Sequence, residues 1–261
     1  MKKNILLLFV LFAAPAVFAF TSPNGTLAIA YEGEGYSYRE PHMKYPIHLK
    51  GRHQGISARY TLLEEDSSSK THSVVEGRFL TGHTDYDGYL MNGTPATSED
   101  ITDWYLELRA LGGYTFDFNE SWHFTPYAGL GYRFLSNNMD EDAAGGYRRE
   151  STYVYMPIGF SLSTGSGGMR VSLTGEFDWL LYGNQMSGLS RFGESDINNT
   201  QEKGLGARGG LKVELPIGTV AGIFVEPFYR FWKIQNSDVQ GGYYEPFNIS
   251  REYGIKAGII F

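Results

Sequence analysis

The feature that most constrains this chain is a two-residue alternation of apolar and polar side chains that recurs along nearly its whole length. Ten stretches show it, at about 26–38, 46–63, 72–85, 102–117, 122–136, 150–163, 169–184, 201–216, 221–235 and 247–261. In one of them Val171 and Leu173 alternate with Arg170 and Ser172. Successive side chains of a strand point to opposite faces, and helical spacing is absent throughout. The pattern predicts an all-β protein.

The connections between these stretches alternate in length. Those after the second, fourth, sixth and eighth are short: EEDSSSKT, DFNES, STGSGG and PIGTV. Those after the third, fifth, seventh and ninth are longer and polar: YDGYLMNGTPATSED, NNMDEDAAGGYRR, GNQMSGLSRFGESDINNT and NSDVQGGYYEP. The first, REPHMKYP, is intermediate. Alternating short periplasmic turns and long extracellular loops are typical of outer-membrane barrels.

Strand length favours the same fold. A barrel strand needs about 9–11 residues to cross a bilayer, and strands of soluble proteins usually run nearer about 5–6. Aromatic residues make up 15% of the chain, 19 of them Tyr, as interfacial aromatic girdles require. We therefore predict that residues 20–261 form a single closed antiparallel transmembrane β-barrel of about ten strands, or eight. A secreted β-domain is the alternative.

The N-terminal segment 1–19 has the three parts of a cleaved signal peptide. Lys2 and Lys3 precede an apolar run from Ile5, and Val17-Phe18-Ala19 forms a small-residue cleavage site. The mature chain would carry 20 basic and 29 acidic residues. This charge and the lack of a basic patch exclude a nucleic-acid partner. No cysteine is present.

The C-terminal stretch alternates to its last residue. Tyr253, Ile255, Ile259 and Phe261 share one face. A closed barrel pairs its last strand with its first, so neither is a free edge. The segment also resembles the C-terminal signal by which outer-membrane proteins are recognised by the barrel assembly machinery, and that resemblance implies the same role for these four residues.

Charged side chains lie opposite the apolar faces and are predicted to fill the lumen as a network. Its predicted members are Glu107, Arg109, Glu176, Asp178, Arg208, Lys212, Glu226, Arg230, Glu252 and Lys256. The last three strands are neighbours, so we expect their charges to interleave. Unpaired charges are costly in a narrow interior, and open channels need about 16–18 strands. We expect a plugged or very narrow lumen and no general diffusion porin.

One loop resembles the omptins, a family of ten-stranded outer-membrane proteases. The resemblance rests on Asp85-Tyr86-Asp87 after the third stretch, on the strand count and on the terminal Phe261. It implies Asp85 and Asp87 as catalytic candidates, with His83 as a possible partner. Omptins also need an Asp–His pair after the seventh strand, and the corresponding WLLYGNQMSGLSRFGESDINN contains no His.

These observations favour a non-enzymatic outer-membrane protein of a Gram-negative cell. We expect it to act in a structural, surface-interaction or narrow-channel role through its extracellular loops. The alternative is an omptin-like, Asp-x-Asp hydrolase at the barrel mouth. No metal or cofactor is expected, because the six His show no metal spacing. Outer-membrane lipid, lipopolysaccharide and, during biogenesis, the assembly machinery are the expected partners.

Overall fold

The fold is known from a computed structural model that describes residues 25–66, 69–89, 93–139, 146–219 and 221–261. The predicted signal peptide, 1–19, lies outside the described residues. Within them the strands are β1 (Gly25–Glu40), β2 (Ile47–Asp66), β3 (Ser69–Tyr89), β4 (Pro95–Tyr114), β5 (Phe116–Asp117), β6 (Trp122–Asn137), β7 (Arg149–Ser166), β8 (Met169–Ser187), β9 (Ile197–Gln201), β10 (Gly204–Ile217), β11 (Ala221–Ile234) and β12 (Asn248–Ile260). A 3-10 helix covers Leu189–Phe192. No helix in the described ranges is long and apolar enough to span a bilayer.

Ten of these strands form one closed antiparallel barrel. The hydrogen-bonded order is β1-β2-β3-β4-β6-β7-β8-β10-β11-β12, and β12 pairs back onto β1 from Ala28↔Ile260 to Arg39↔Ile249. Beyond that ladder, Leu27 and Phe261 exchange backbone hydrogen bonds of 3.1 and 2.8 Å. The short strands β5 and β9 are additions that pair with β6 and β8. The predicted all-β barrel of ten strands is confirmed.

The strand register fixes how strongly the barrel is tilted. From Gly25, successive partners lead once around the wall to Ser37, which lies twelve residues further along β1. The steps are Leu62, Ser73, Gly112, Ala128, Ile158, Phe177, Ala207, Phe231, Arg251 and Ser37. Strand number and this stagger together set the width of a barrel. Ten strands staggered by twelve leave a lumen that long side chains can bridge.

The barrel wall carries its apolar side chains on the outside and its charged side chains on the inside, which is the reverse of a soluble protein. Exposed apolar side chains cover the outside, among them Ile29, Tyr31, Ile56, Phe79, Leu130, Ile158, Phe177, Trp179, Leu211, Val225, Ile255 and Ile259. Buried aromatic and charged side chains fill the inside, with Tyr105, Tyr155 and Trp232 at most 2% exposed. An apolar exterior around a polar interior matches a wall that faces lipid.

Segments expected to be loops are partly strand, and the connection between β3 and β4 is one of them. Residues 86–100 were assigned to a loop, but β3 continues to Tyr89 and β4 begins at Pro95. The ladder runs on through Tyr86↔Ser98 to Tyr89↔Pro95, after an irregularity between Thr84 and Tyr86. Beyond the bilayer both faces of a hairpin meet water, so the ladder persists while the apolar alternation disappears.

Candidate functional site in the barrel lumen

The inner face of the barrel concentrates charge where water is excluded. The buried charged residues are Glu32, Glu34, Glu40, His53, Arg78, Asp103, Glu107, Arg133, Asp178, Arg230, Glu245 and Glu252. Buried charges are tolerated only when they are paired and hydrogen-bonded. The pairing pattern therefore shows how the lumen is organised.

Arg78 of β3 is the centre of this pattern. Its guanidinium binds Glu107 of β4 at 2.8 Å, Glu252 of β12 at 2.7 Å, and Glu32 and Glu34 of β1 at 2.9 and 3.0 Å. The Arg78 side chain is 5% exposed. A planar guanidinium presents five N–H donors in a fixed fork, so one arginine can hold several carboxylates.

Two further arginines share the same carboxylates. Arg230 of β11 reaches Glu32, Glu34 and Glu252 at 2.9, 3.2 and 3.3 Å. Arg133 of β6 reaches the other oxygen of Glu252 at 3.1 Å. The carboxylates of β1 and β12 are thus held from several strands at once.

Arg208 of β10 closes the lumen from wall to wall. It donates to Glu107 of β4 at 2.6 and 3.0 Å, to Asp178 of β8 at 2.7 Å and to the Tyr155 hydroxyl at 2.7 Å. Between β4 and β10 stand three strands on one side and five on the other, so the Arg208–Glu107 contact joins opposite walls. The contact therefore spans the lumen at this level.

The network continues toward the end of the barrel that carries the short turns. Arg109 binds Glu76 at 2.8 Å and also Glu176, and Arg59 binds Glu76 at 2.9 Å. Glu176 in turn contacts Arg208 at 3.1 Å. The ion pairs are therefore continuous through Arg59, Arg78, Arg109, Arg133, Arg208 and Arg230 and through Glu32, Glu34, Glu76, Glu107, Glu176, Asp178 and Glu252. We refer to these thirteen residues as the lumen network.

His53 of β2 extends the network toward the loops. Its Nδ1 lies 3.2 Å from Glu34 and its Nε2 3.3 Å from Asp103, and the ring is 2% exposed. Asn137 donates to Asp103 at 2.6 Å. Two carboxylates at the two ring nitrogens suit an imidazolium, which donates from both.

A second, separate cluster lies at the mouth of the barrel. Arg149, at the start of β7, binds Glu40 at 3.2 Å and Glu245, from the loop between β11 and β12, at 2.5 Å. The Tyr38 hydroxyl contacts the same two carboxylates at 2.7 and 2.8 Å. We call these four residues the mouth cluster. It ties the last long loop to the opposite side of the wall.

A cavity of about 420 Å³ lies in the part of the lumen nearer the short turns, and several residues of the lumen network line it. Arg78, Glu107 and Arg208 of the network line its inner end, and Thr26, Gly113 and Ile260 line its periplasmic end. We call this cavity the vestibule; it lies on the side of the short turns, and the lumen network lines its inner part.

The predicted lumen residues all lie on the inner side of the barrel, in two groups. Glu107, Arg109, Glu176, Asp178, Arg208, Arg230 and Glu252 belong to the lumen network. Lys212 pairs with Glu214, and Lys256 lies 3.3 Å from Glu226, both along the vestibule wall. Among the last three strands, Arg230 pairs with Glu252 and Lys256 pairs with Glu226, whereas Arg208 reaches across to Glu107 of β4.

The omptin-like candidates lie elsewhere. His83, Asp85 and Asp87 are exposed and alternate with the buried Thr84 and Gly88, which places them on the outer face of β3. Their partners across the ladder are Arg52, Lys50 and His48 of β2. The structure does not bring them to the lumen. No three or more His, Asp or Glu side chains in the described part of the chain are arranged to hold a metal.

Sequence reasoning missed several residues that matter in the lumen, among them Glu32, Glu34 and His53. Glu32 and Glu34 stand in the short run Tyr-Glu-Gly-Glu-Gly of β1, and His53 stands opposite Glu34 on β2. Two glutamates at i and i+2, facing the same side between glycines, were a usable signal because strand alternation puts both on one face.

Comparison with known proteins supports the fold. No family model matches the chain, and no curated protein sequence matches it. Among solved structures, the outer-membrane protease OmpT from Escherichia coli aligns with a TM-score of 0.62 and 12% identity, over 92% of this chain and 97% of that one. The chain therefore has the fold of the omptin barrel, and at this identity the likeness extends to the fold alone.

Other barrels superpose less well. Ail of Yersinia pestis gives a TM-score of 0.33 at 12% identity, covering 91% of this chain and 99% of that one. The outer membrane protein OprG of Pseudomonas aeruginosa gives 0.36 at 12% identity, over 90% and 94%. The fold shared with OmpT is that of an outer-membrane β-barrel, in agreement with the predicted location in the Gram-negative outer membrane.

Proposed function

We propose that this protein is a non-enzymatic outer-membrane barrel with a closed lumen, which acts through its outer surface and extracellular loops. The observation that carries the proposal is the contact between Arg208 of β10 and Glu107 of β4, because it joins opposite walls. The ion pairs among the thirteen residues of the lumen network, which come from all sides of the wall, support the proposal.

Conductance in planar lipid bilayers tests this proposal. We expect the wild-type protein to show no sustained open channel. The double variant Glu107→Ala/Arg208→Ala removes the bridge between the walls, and it should give discrete conducting events. A large, stable conductance of the wild type would overturn the proposal.

The matched control is Glu226→Ala/Lys256→Ala. This pair also lies in the lumen and removes one charge of each sign, but β11 and β12 are neighbouring strands, so the pair runs along the wall. It should conduct no more than the wild type. Equal conductance of the two double variants would show that the bridge is not what closes the lumen.

The hydrolase alternative can be tested on the same preparations. Asp85 and Asp87 face outward from the wall, opposite basic residues. We therefore expect no cleavage of a panel of basic peptides by the refolded protein, with or without lipopolysaccharide. Cleavage that disappears in Asp85→Asn/Asp87→Asn would establish the hydrolase and reject the non-enzymatic role.

A further inference from the structure

The vestibule is a space that the barrel does not fill with side chains. Small residues line it on several strands, among them Ala28, Ser57, Gly113, Ser161, Ser172 and Gly210. Its volume of about 420 Å³ lies within the roughly 300–1,000 Å³ of small-molecule pockets. Further inside the lumen, Arg208 and Glu107 meet from opposite walls. The open space therefore reflects the size of the side chains and not the width of the barrel.

One part of the vestibule wall carries hydroxyl groups side by side. In the ladder between β7 and β8, Ser161 stands opposite Thr174, and Ser163 stands opposite Ser172. Ser163 and Ser172 are 5% and 6% exposed. A hydroxyl can donate to an anion without carrying a charge itself, so this part of the wall offers hydrogen bonds to a negatively charged group.

Arg170 is the cation beside these hydroxyls. Among the charged side chains that line the vestibule, it alone makes no ion pair with a described residue. Its guanidinium donates to the Ser163 hydroxyl at 3.2 Å. Glu214 stands opposite Arg170 on β10, but it pairs with Lys212 of its own strand. The guanidinium of Arg170 therefore has donors to offer to a carboxylate from outside the protein.

Other cations face the same opening. Arg59 of β2 and Arg170 of β8 both interact electrostatically with His72 of β3, and Arg59 also interacts with Lys212 of β10. Side chains from four strands thus converge at this end of the vestibule. Glu76 pairs with Arg59 at 2.9 Å, which leaves Arg170 as the surplus positive charge. An anion between these side chains would reduce the repulsion among them.

Phe224 of β11 supplies an apolar surface next to Arg170. It stands opposite Glu214, which stands opposite Arg170. Phe224 and Arg170 are therefore two strands apart, about 9–10 Å by strand spacing, and both line the vestibule. The Lys212 Nζ atom lies 5.8 Å from the centre of the Phe224 ring. A pocket with an aromatic ring and a few convergent polar groups suits a ligand that has an apolar body and one charged end.

We propose that the vestibule binds a small organic anion from the periplasm, with its carboxylate at Arg170 and Ser163 and its apolar body against Phe224. A guanidinium can donate to both oxygens of a carboxylate, and the Ser172 hydroxyl lies across the ladder from Ser163. Binding in the vestibule does not require that the lumen conducts. The inference concerns the periplasmic end of the barrel and goes beyond the proposed action through the outer surface and the loops.

Fluorine NMR of the refolded barrel in micelles tests the inference. The probe is 4-fluorophenylacetate, and the comparison is its uncharged amide, 4-fluorophenylacetamide. The wild type should bind the anion at least tenfold more tightly than the amide. Arg170→Gln removes a charge-assisted hydrogen bond, so it should weaken binding of the anion about tenfold, the factor that ~1.4 kcal/mol represents. The same variant should leave binding of the amide unchanged.

The matched control is Lys70→Gln at the same end of the barrel. Lys70 pairs with Asp117 at 2.8 Å and lies outside the lining of the vestibule. This variant removes the same charge from a different place and should bind the anion like the wild type. Equal losses in Arg170→Gln and Lys70→Gln would show general attraction of anions to this end and would overturn the inference. Equal affinity of the wild type for the anion and the amide would overturn it as well.

Phe224→Leu is the second variant, for the case that Arg170→Gln does not refold as judged by heat-modifiable gel mobility. It keeps every charge and removes the aromatic ring. It should weaken binding of 4-fluorophenylacetate about threefold and leave binding of fluoroacetate, which has no ring, unchanged. If Phe224→Leu bound both anions like the wild type, the inference would be wrong.

Discussion

At the scale of single residues, the lumen depends on arginines that each serve several carboxylates. Arg78 is the extreme case, with four partners from three strands. The central carbon of its guanidinium also lies 4.1 Å from the centre of the Tyr105 ring, so the cation contacts an aromatic face as well as carboxylates. A lysine could not fill this position, because a compact ammonium has three donors and no planar face.

Removing this one arginine should destabilise the barrel strongly. Arg78→Met replaces the guanidinium with an apolar side chain that fills part of the same space. It leaves Glu32, Glu34 and Glu107 with one cation fewer. Breaking a buried ion pair from one side costs about 3–5 kcal/mol. We expect a loss of that size in the free energy of unfolding, measured by urea titration of the protein folded into vesicles and followed by tryptophan fluorescence.

The comparison for Arg78 is Arg148→Met at the barrel mouth. Arg148 lies 3.4 Å from Glu150, with 48% of its side chain exposed. Exposed pairs contribute about 0–1 kcal/mol, so this variant should unfold within that range of the wild type. A loss of less than 1 kcal/mol for Arg78→Met would mean that water or rearranged side chains replace the arginine.

The sequence predicts which residues face the lumen but not which of them meet. Strand alternation assigns Arg208 and Glu107 to the inner face, because each stands opposite an apolar set. Their contact spans 101 residues of chain and depends on closure and stagger, which no local pattern encodes. Strands that follow each other in the chain are expected to pair, so the contacts Arg230–Glu252 and Lys256–Glu226 could be predicted from the sequence.

At the scale of elements, strands are recognisable where they face lipid and hidden where they leave it. The ten predicted stretches each correspond to a barrel strand, since lipid on one side enforces an apolar residue at every second position. The hairpin of β3 and β4 runs on past this region. There its residues, from Tyr86 to Tyr89 and from Pro95 to Ile101, carry no such pattern, and the prediction stopped short.

The loop between β11 and β12 should respond to pH through Glu245. Burial raises the pKa of this carboxyl from its usual 4.5 to about 7; nearby Glu40 acts in the same direction, and Arg149 opposes it. Four groups face Glu245. Tyr38 and Glu40 belong to β1, Arg149 is the first residue of β7, and Tyr147 lies two residues before it. A raised carboxyl pKa gives stability that is complete below pH 4.5 and is lost as the pH rises through about 7.

Hydrogen exchange of residues 235–247 measures this effect. Protection should be higher at pH 5.5 than at pH 8, once the intrinsic exchange rates are corrected for pH. Glu245→Gln keeps the shape of the side chain without its charge and should remove most of the difference. The same pH dependence in the variant would assign the effect to another group of the mouth cluster.

At the scale of the whole molecule, closure is what makes a chain end stable. Both ends of the described barrel lie in one ladder, in which β1 and β12 pair over twelve positions. The number of strands and the alternation of short and long loops could be predicted, because each strand and each loop is recognisable from its own stretch of sequence. The stagger of twelve could not, since it is a sum of ten registers, and an irregularity such as that between Val154 and Tyr155 changes it.

Cross-linking tests closure directly, because the chain contains no cysteine. Tyr31 and Ala257 stand opposite each other on the outer face of β1 and β12. Directly opposite Cα atoms are about 4.5–5.5 Å apart, within the roughly 4.4–6.8 Å that a disulfide accepts. Tyr31→Cys/Ala257→Cys should therefore oxidise nearly completely in the folded protein. After boiling without reductant, the nearly circular chain should migrate differently on a denaturing gel, and reductant should restore the wild-type mobility.

The control is Ile29→Cys/Ile223→Cys. These two residues both pair with Ile259 and so stand two strands apart, which is about 9–10 Å by strand spacing. This variant should stay reduced. If both pairs cross-linked alike, the contact between β1 and β12 would be mobile. If neither pair cross-linked, the barrel would be open between these strands. Only a fixed β1–β12 ladder allows the pair one strand apart to react while the pair two strands apart does not.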